Sequence, residues 1–274
     1  MLPNIKIRTV TGFFIVSVTI ASVVVGPVTF IIFCATINLL ALIEFYRLLH
    51  LNFGSGRIIG LILSVTMVFS SFLLTWNLVD WQIVLINVPL VAAIFITFLY
   101  RQSENPFQHL ALIFLGLIYI TMPLIFFNSI AFLPFWEGTY QMKIILGYFF
   151  ILWSSDTGAY LVGSSVGKHL LFERISPKKT WEGSIAGAVS ALIIAGLLSF
   201  FFTNLTVASW MTIAIIIILF GTLGDLVKSM LKRSVNVKDS GAWLPGHGGF
   251  IDRFDSLLGS APFVFAYLAI FLKL

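Results

Sequence analysis

Several stretches of 18 or more residues in this chain carry no Asp, Glu, Lys or Arg. That is the length an α-helix needs to cross the hydrocarbon core of a bilayer, and a soluble domain has no room to bury so many of them. Composition agrees: the 274 residues are 59% hydrophobic and 10% charged, with a mean hydropathy of +1.05. A soluble chain is about 25% charged. The sequence therefore predicts an all-α integral membrane protein. Cys34 is the single cysteine and lies in an apolar run, so an intramolecular disulfide is excluded and the redox compartment is not readable.

Hydropathy predicts about nine spans, at residues 11–25, 28–48, 57–76, 82–100, 110–133, 142–163, 181–202, 207–228 and 256–271. The first two share one apolar run broken only at Gly26-Pro27, so eight spans is the alternative. Lys6 and Arg8 precede a short apolar run as in a signal peptide, but the next span follows at once without a polar mature start. A retained span is expected. With sides alternating at each span, fourteen basic residues fall on the N-terminal side and only Lys143 and Lys273 on the other. Such an excess marks the cytoplasmic side, so the N-terminus is expected there. Merging the first two spans would move Lys6 and Arg8 across and weaken the bias, which favours nine. Two regions follow: N-terminal transmembrane helices at 1–140 (about five spans) and a catalytic transmembrane region at 141–274 (about four).

The polar content is lopsided. Glu44 is the one acid inside a predicted span of the first region, and Arg47, three residues on, is its expected partner. Nearly all other polar chemistry sits on three cytoplasmic segments, 154–168, 170–183 and 225–255. In the last, Asp225, Lys228, Ser229 and Lys232 share one helix face. Snorkelling accounts for the lysines, but not for Asp225, since an acid at a span centre costs roughly 2.5–3.5 kcal/mol and less near its end. A glycine-rich turn follows, with Gly241, Pro245, Gly246, His247, Gly248 and Gly249, a backbone suited to phosphate oxygens or simply to re-entry. Asp252, Arg253 and Asp255 come next, as an ion-pair cluster or, with Asp225 and Asp252 brought together, as oxygen ligands for a hard divalent cation.

Two more segments point to the same ligand. Ser176-Pro177 reads as the start of a helix carrying Lys178 and Lys179 in its first turn, where cations oppose the dipole unless an anion intervenes. Asp156, within 154–160, interrupts the sixth span with an acid, a functional-site candidate or else the cap of a broken helix. The run from Gly163 to Lys168 resembles a P-loop but is one residue short and has His169 where Ser or Thr is required. It is rejected. Together these residues equip a cytoplasm-facing, membrane-embedded polar site, in the C-terminal half, for phosphoryl or nucleotidyl transfer to a lipid. That chemistry needs positioning and charge neutralisation more than covalent help.

Ser229, Leu231-Lys232-Arg233, Lys238-Asp239, Gly241, Leu244-Pro245, His247-Gly248-Gly249-Phe250 and Asp252-Arg253-Phe254-Asp255, at these spacings, resemble the signature of phosphatidate cytidylyltransferases (CDP-diacylglycerol synthases). The segments 176–180, 182–183 and 156–160 also resemble that family's pattern. The resemblance implies condensation of CTP with phosphatidate to CDP-diacylglycerol and pyrophosphate, in phospholipid synthesis at the cell membrane. It makes Asp225 and Asp252 the metal-binding and catalytic carboxylates, with one or two Mg²⁺ ions and room for a monovalent ion. Lys232 and Arg253, as catalytic cations, and Lys178, Lys179 and Arg233 would neutralise the triphosphate and the lipid phosphate. Ser229, His247, Gly248 and Gly249 would position substrate, and Asp156, Lys238, Asp239 and Asp255 would shape the pocket. Expected partners are CTP, phosphatidate and the lipid bilayer rather than a nucleic acid, with a homodimer left open. The rival readings are a CTP-dependent lipid kinase and a secondary transporter, although transporters show paired features in two halves.

Overall fold

The computed structural model describes residues 5–51, 54–101, 105–133, 139–237, 239–241, 243–244, 246 and 248–272. Ten α-helices carry the described chain: α1 (Ile5–Val25), α2 (Pro27–Leu48), α3 (Ser55–Thr75), α4 (Asn87–Tyr100), α5 (Pro106–Gly116), α6 (Met122–Ile130), α7 (Met142–Val166), α8 (Trp181–Phe201), α9 (Val207–Ser234) and α10 (Phe250–Phe271). A 3-10 segment, Trp81–Ile86, leads into α4. A π turn at Leu117–Thr121 joins α5 to α6 just before Pro123, which has no N–H to give the ladder. Among the described residues, eight helical segments are long and apolar enough to cross a membrane, with 81–100 and 106–130 each continuous. Thr9–Val25 is a shorter apolar helix. The long N-terminal apolar run breaks at Gly26, whose φ of 151° few side-chain-bearing residues adopt, and Pro27 opens α2.

The chain divides into two compact units. One holds Met1–Tyr140 together with Asp239–Arg253; the other holds Gln141–Lys238 and Phe254–Leu274. The division passes through α10, so Asp252 belongs to the first unit and Asp255 to the second.

Inside the first unit, polar side chains bond between otherwise apolar helices. Asn38 on α2 donates to Ser64 on α3 at 3.1 Å and accepts from Thr121 in the π turn at 2.8 Å. Such bonds hold helices together where apolar contact alone gives little preference over lipid. Tyr46 reaches from α2 to the Ile113 carbonyl on α5 at 3.0 Å. Around these bonds Phe30, Phe45, Phe127 and Phe132 are buried.

Close backbone approach organises the second unit. A Cβ on Gly183 of α8 would lie 3.0 Å from the Gly163 Cα of α7, and one on Gly187 would lie 2.7 Å from the Ser155 carbonyl oxygen. On α9 and α10 the same holds for Gly224 and Gly259: a Cβ on Gly259 would lie 2.7 Å from the Gly224 Cα. Buried Trp210 of α9 fills the space over Gly147 of α7, and Tyr148 bonds Ser260 of α10 at 2.6 Å.

One expected helix start is overturned. Ser176 does not cap a helix: Ser176–Thr180 is a strand, β2, paired antiparallel with β1 (Leu170–Phe172). Thr180 is the residue that caps α8, its Oγ1 accepting the Gly183 N–H at 3.2 Å. Pro177 is tolerated because a two-stranded ribbon consists only of edges. The helix-dipole argument for Lys178 and Lys179 therefore falls. On a strand, consecutive side chains point to opposite faces. Asp156 also does not break its span, since α7 runs through it from Met142 to Val166.

Candidate active site

The second unit builds an ion-paired cluster. Asp225 and Lys228 stand one turn apart on α9, with Lys228 Nζ 2.5 Å from Asp225 Oδ1. The same ammonium lies 2.5 Å from Oδ2 of Asp255 on α10. The glycine contact between α9 and α10 makes this reach feasible: a Cβ on Gly224 would lie 2.4 Å from the Asp255 carbonyl oxygen, so any larger residue would push the helices apart. Lys179, from β2, pairs with Asp225 Oδ2. Lys178, its neighbour in sequence, is exposed on the other face. The cluster thus sets two carboxylates against two ammonium groups, with Lys228 and Asp255 buried.

Below Thr180, Glu182 in the first turn of α8 accepts the backbone N–H groups of Lys168 and His169, each at 3.2 Å, and lies 2.5 Å from His169 Nδ1. These bonds fasten the hairpin that delivers Lys179.

In the first unit a second pair of carboxylates is held quite differently. Asp252 Oδ2 accepts the Ser240 N–H at 3.0 Å, the Ser240 hydroxyl at 2.8 Å and the Gly249 N–H at 3.5 Å. Glu44 on α2 accepts the Phe250 N–H at 2.8 Å and the Ile251 N–H at 3.3 Å, and also lies within hydrogen-bond reach of the Ser240 hydroxyl. The glycines of the turn wrap this carboxylate: a Cβ on Gly249 would lie 2.0 Å from Glu44 Oε1, and one on Gly241 would lie 3.0 Å from Oε2. Gly248 has a φ of 79°, the left-handed region, and a Cβ there would meet Asp252 Oδ2 at 2.9 Å. The expected Glu44–Arg47 pair is absent; the Arg47 guanidinium lies 5.2 Å over the Trp243 ring instead.

The predicted site residues divide accordingly. Lys179, Asp225 and Asp255 come together with Lys228 in one unit; Gly248, Gly249 and Asp252 come together with Glu44 and Ser240 in the other. Ser229 and Lys232 are half-buried on α9, Arg233 is exposed in its last turn, and Asp239 and Arg253 are exposed. Asp156 is exposed on α7. Lys238 and His247 lie outside the described residues. Three residues were missed: Lys228 as the bridge between Asp225 and Asp255, Ser240 and Glu44. An acid in an apolar span is a functional candidate by default, and Glu44 carried that signal.

No three of His, Cys, Asp and Glu form a metal cage among the described residues. Mg²⁺ does not need one, being held commonly through one or two carboxylates together with substrate phosphates and water. Asp225 and Asp252 each carry hard oxygen donors of the kind Mg²⁺ takes, one in each unit.

Comparison with known proteins places these residues in a family. The model of the cytidylyltransferase family matches residues 6–271. A phosphatidate cytidylyltransferase of Staphylococcus aureus (strain COL) is 37% identical over 263 residues, covering 94% of this chain and 96% of that protein. One from Bacillus subtilis (strain 168) is 36% identical over 273 residues, covering 98% and 99%. With a family match along nearly its whole length, the chain belongs to the cytidylyltransferase family.

Proposed function

We propose that this chain condenses CTP with phosphatidate to give CDP-diacylglycerol and pyrophosphate, a step of phospholipid synthesis. The observation that carries this reading is near-full-length identity of 36–37% with relatives named phosphatidate cytidylyltransferases. A phosphatidate phosphate oxygen attacks the α-phosphorus of CTP in line; the new P–O bond forms as the bond to the β-phosphate oxygen breaks, and pyrophosphate leaves. A phosphate monoester has a second pKa near 6 and is already largely ionised at neutral pH, so no side chain has to remove a proton.

Electrostatic positioning is then the protein's task. Asp225 and Asp252 are the proposed ligands of Mg²⁺, which would supply charge neutralisation at the triphosphate. Lys179 and Lys228 already stand beside Asp225, and Lys178, Lys232, Arg233 and Arg253 are the further cations assigned to the triphosphate and the lipid phosphate. The charge bias of the loops supports nine spans, with the N-terminus and the site on the cytoplasmic side of the cell membrane.

The test is a product analysis on detergent-purified protein with phosphatidate, Mg²⁺ and CTP labelled at the α-phosphorus. The expected result is label in the lipid with one pyrophosphate per lipid formed. Release of labelled CDP with a phosphorylated lipid would make it a lipid kinase, and solute flux in liposomes without CTP consumption would make it a transporter.

A further inference from the structure

Glu44 is 1% exposed on an apolar helix, 196 residues before its serine partner, and the proposed reaction has not used it. Its hydrogen bonds fall on one place: the start of α10. Phe250 and Ile251 are the first two residues of that helix. Their N–H groups are among the four that no helix can satisfy internally. Ordinarily the preceding residue caps them with its own side chain. Here that residue is Gly249, which has none and has no room for one, because the Glu44 carboxylate occupies the place of its Cβ. The cap is supplied from α2. A carboxylate is the favoured group there, since the helix dipole puts positive charge at its N-terminus.

The third residue of α10 is Asp252, which reaches back to the Gly249 N–H as the acid of a capping box does. The Ser240 hydroxyl lies within reach of both Asp252 and Glu44. Its single proton serves one carboxylate at a time, so the two acids are coupled through it. We infer that Glu44 is a positioning residue for cytidylyl transfer: by capping α10 and tethering Ser240 it sets the orientation of Asp252 and of Arg253 beside it. This inference rests on the proposed function of the same site.

The experiment measures kcat, KM and Mg²⁺ dependence per folded protein for Glu44→Gln, Glu44→Ala, Gly249→Ala and the Glu44→Ala/Gly249→Ala double variant, with melting temperature in detergent as the fold control. Glu44→Ala is expected to lower kcat about 10- to 100-fold, to raise the Mg²⁺ concentration needed and to leave the KM for phosphatidate nearly unchanged. Glu44→Gln keeps one acceptor oxygen and should fall between. Gly249→Ala should cost activity alone but add little on top of Glu44→Ala, because the side chain it collides with is gone. Wild-type kcat and Mg²⁺ dependence in Glu44→Gln, or losses that multiply in the double variant, would overturn the inference. If Glu44→Ala does not fold, Glu44→Gln decides alone. A wild-type protein that makes no lipid-linked nucleotide overturns the functional reading instead, so the two failures are distinguishable.

Discussion

Glu44 and Asp252 accept hydrogen bonds from backbone N–H groups and a serine hydroxyl, whereas Asp225 and Asp255 are bound by lysine ammonium groups. Both arrangements keep carboxylates among apolar helices, where an unpaired charge is costly. They differ in what remains available. Neutral donors orient a carboxylate without cancelling its charge, whereas an ammonium group offsets it. Two ammonium groups against two carboxylates leave the second close to neutral, and its lysines become free for phosphate only when a stronger anion competes with Asp225. On the proposed reading, each centre offers one carboxylate to Mg²⁺, Asp252 and Asp225, and the lysines of the second turn to the triphosphate.

That contrast can be broken by substitutions of graded severity. Lys228→Met leaves Asp225 and Asp255 facing each other without their shared cation and should destabilise the fold by about 3–5 kcal/mol, read as denaturant or thermal unfolding in detergent. A loss under about 1 kcal/mol would mean the ion pairs behave like surface pairs and the contrast is false. Ser240→Ala removes a neutral donor from two acids and should cost less, about 1.5–3 kcal/mol, in the same measurement. Thr180→Ala deletes the α8 cap and should cost about 1 kcal/mol while loosening Lys179, which would show as a higher KM for CTP. The smallest effect belongs to Arg47→Ala. It removes a cation over Trp243 worth about 0.5–1 kcal/mol, seen as altered Trp fluorescence with activity largely kept.

How much of this was legible depends on chain separation. The break at Gly26-Pro27 and the shared face of Asp225 and Lys228 were readable because local periodicity and turn chemistry dictate them. The α8 cap was misplaced by four residues, since Ser-Pro opens a helix as readily as it sits on a strand edge. Glu44 was assigned to Arg47 because only neighbours in sequence can be paired from sequence. Its real partners, Ser240, Phe250 and Ile251, lie about two hundred residues away. Asp255 is likewise bridged to Asp225 through Lys228 across two helices, a contact that spacing along the chain does not reveal.

The claim that each carboxylate centre serves catalysis is tested most directly by the turnover of Asp252→Asn and Asp225→Asn across a Mg²⁺ titration, each on protein verified as folded. Asparagine keeps an acceptor oxygen at each position but removes the charge. The account predicts a loss of at least about 100-fold in kcat for both, not restored by saturating Mg²⁺. Near-normal turnover of either variant at saturating Mg²⁺ would contradict it.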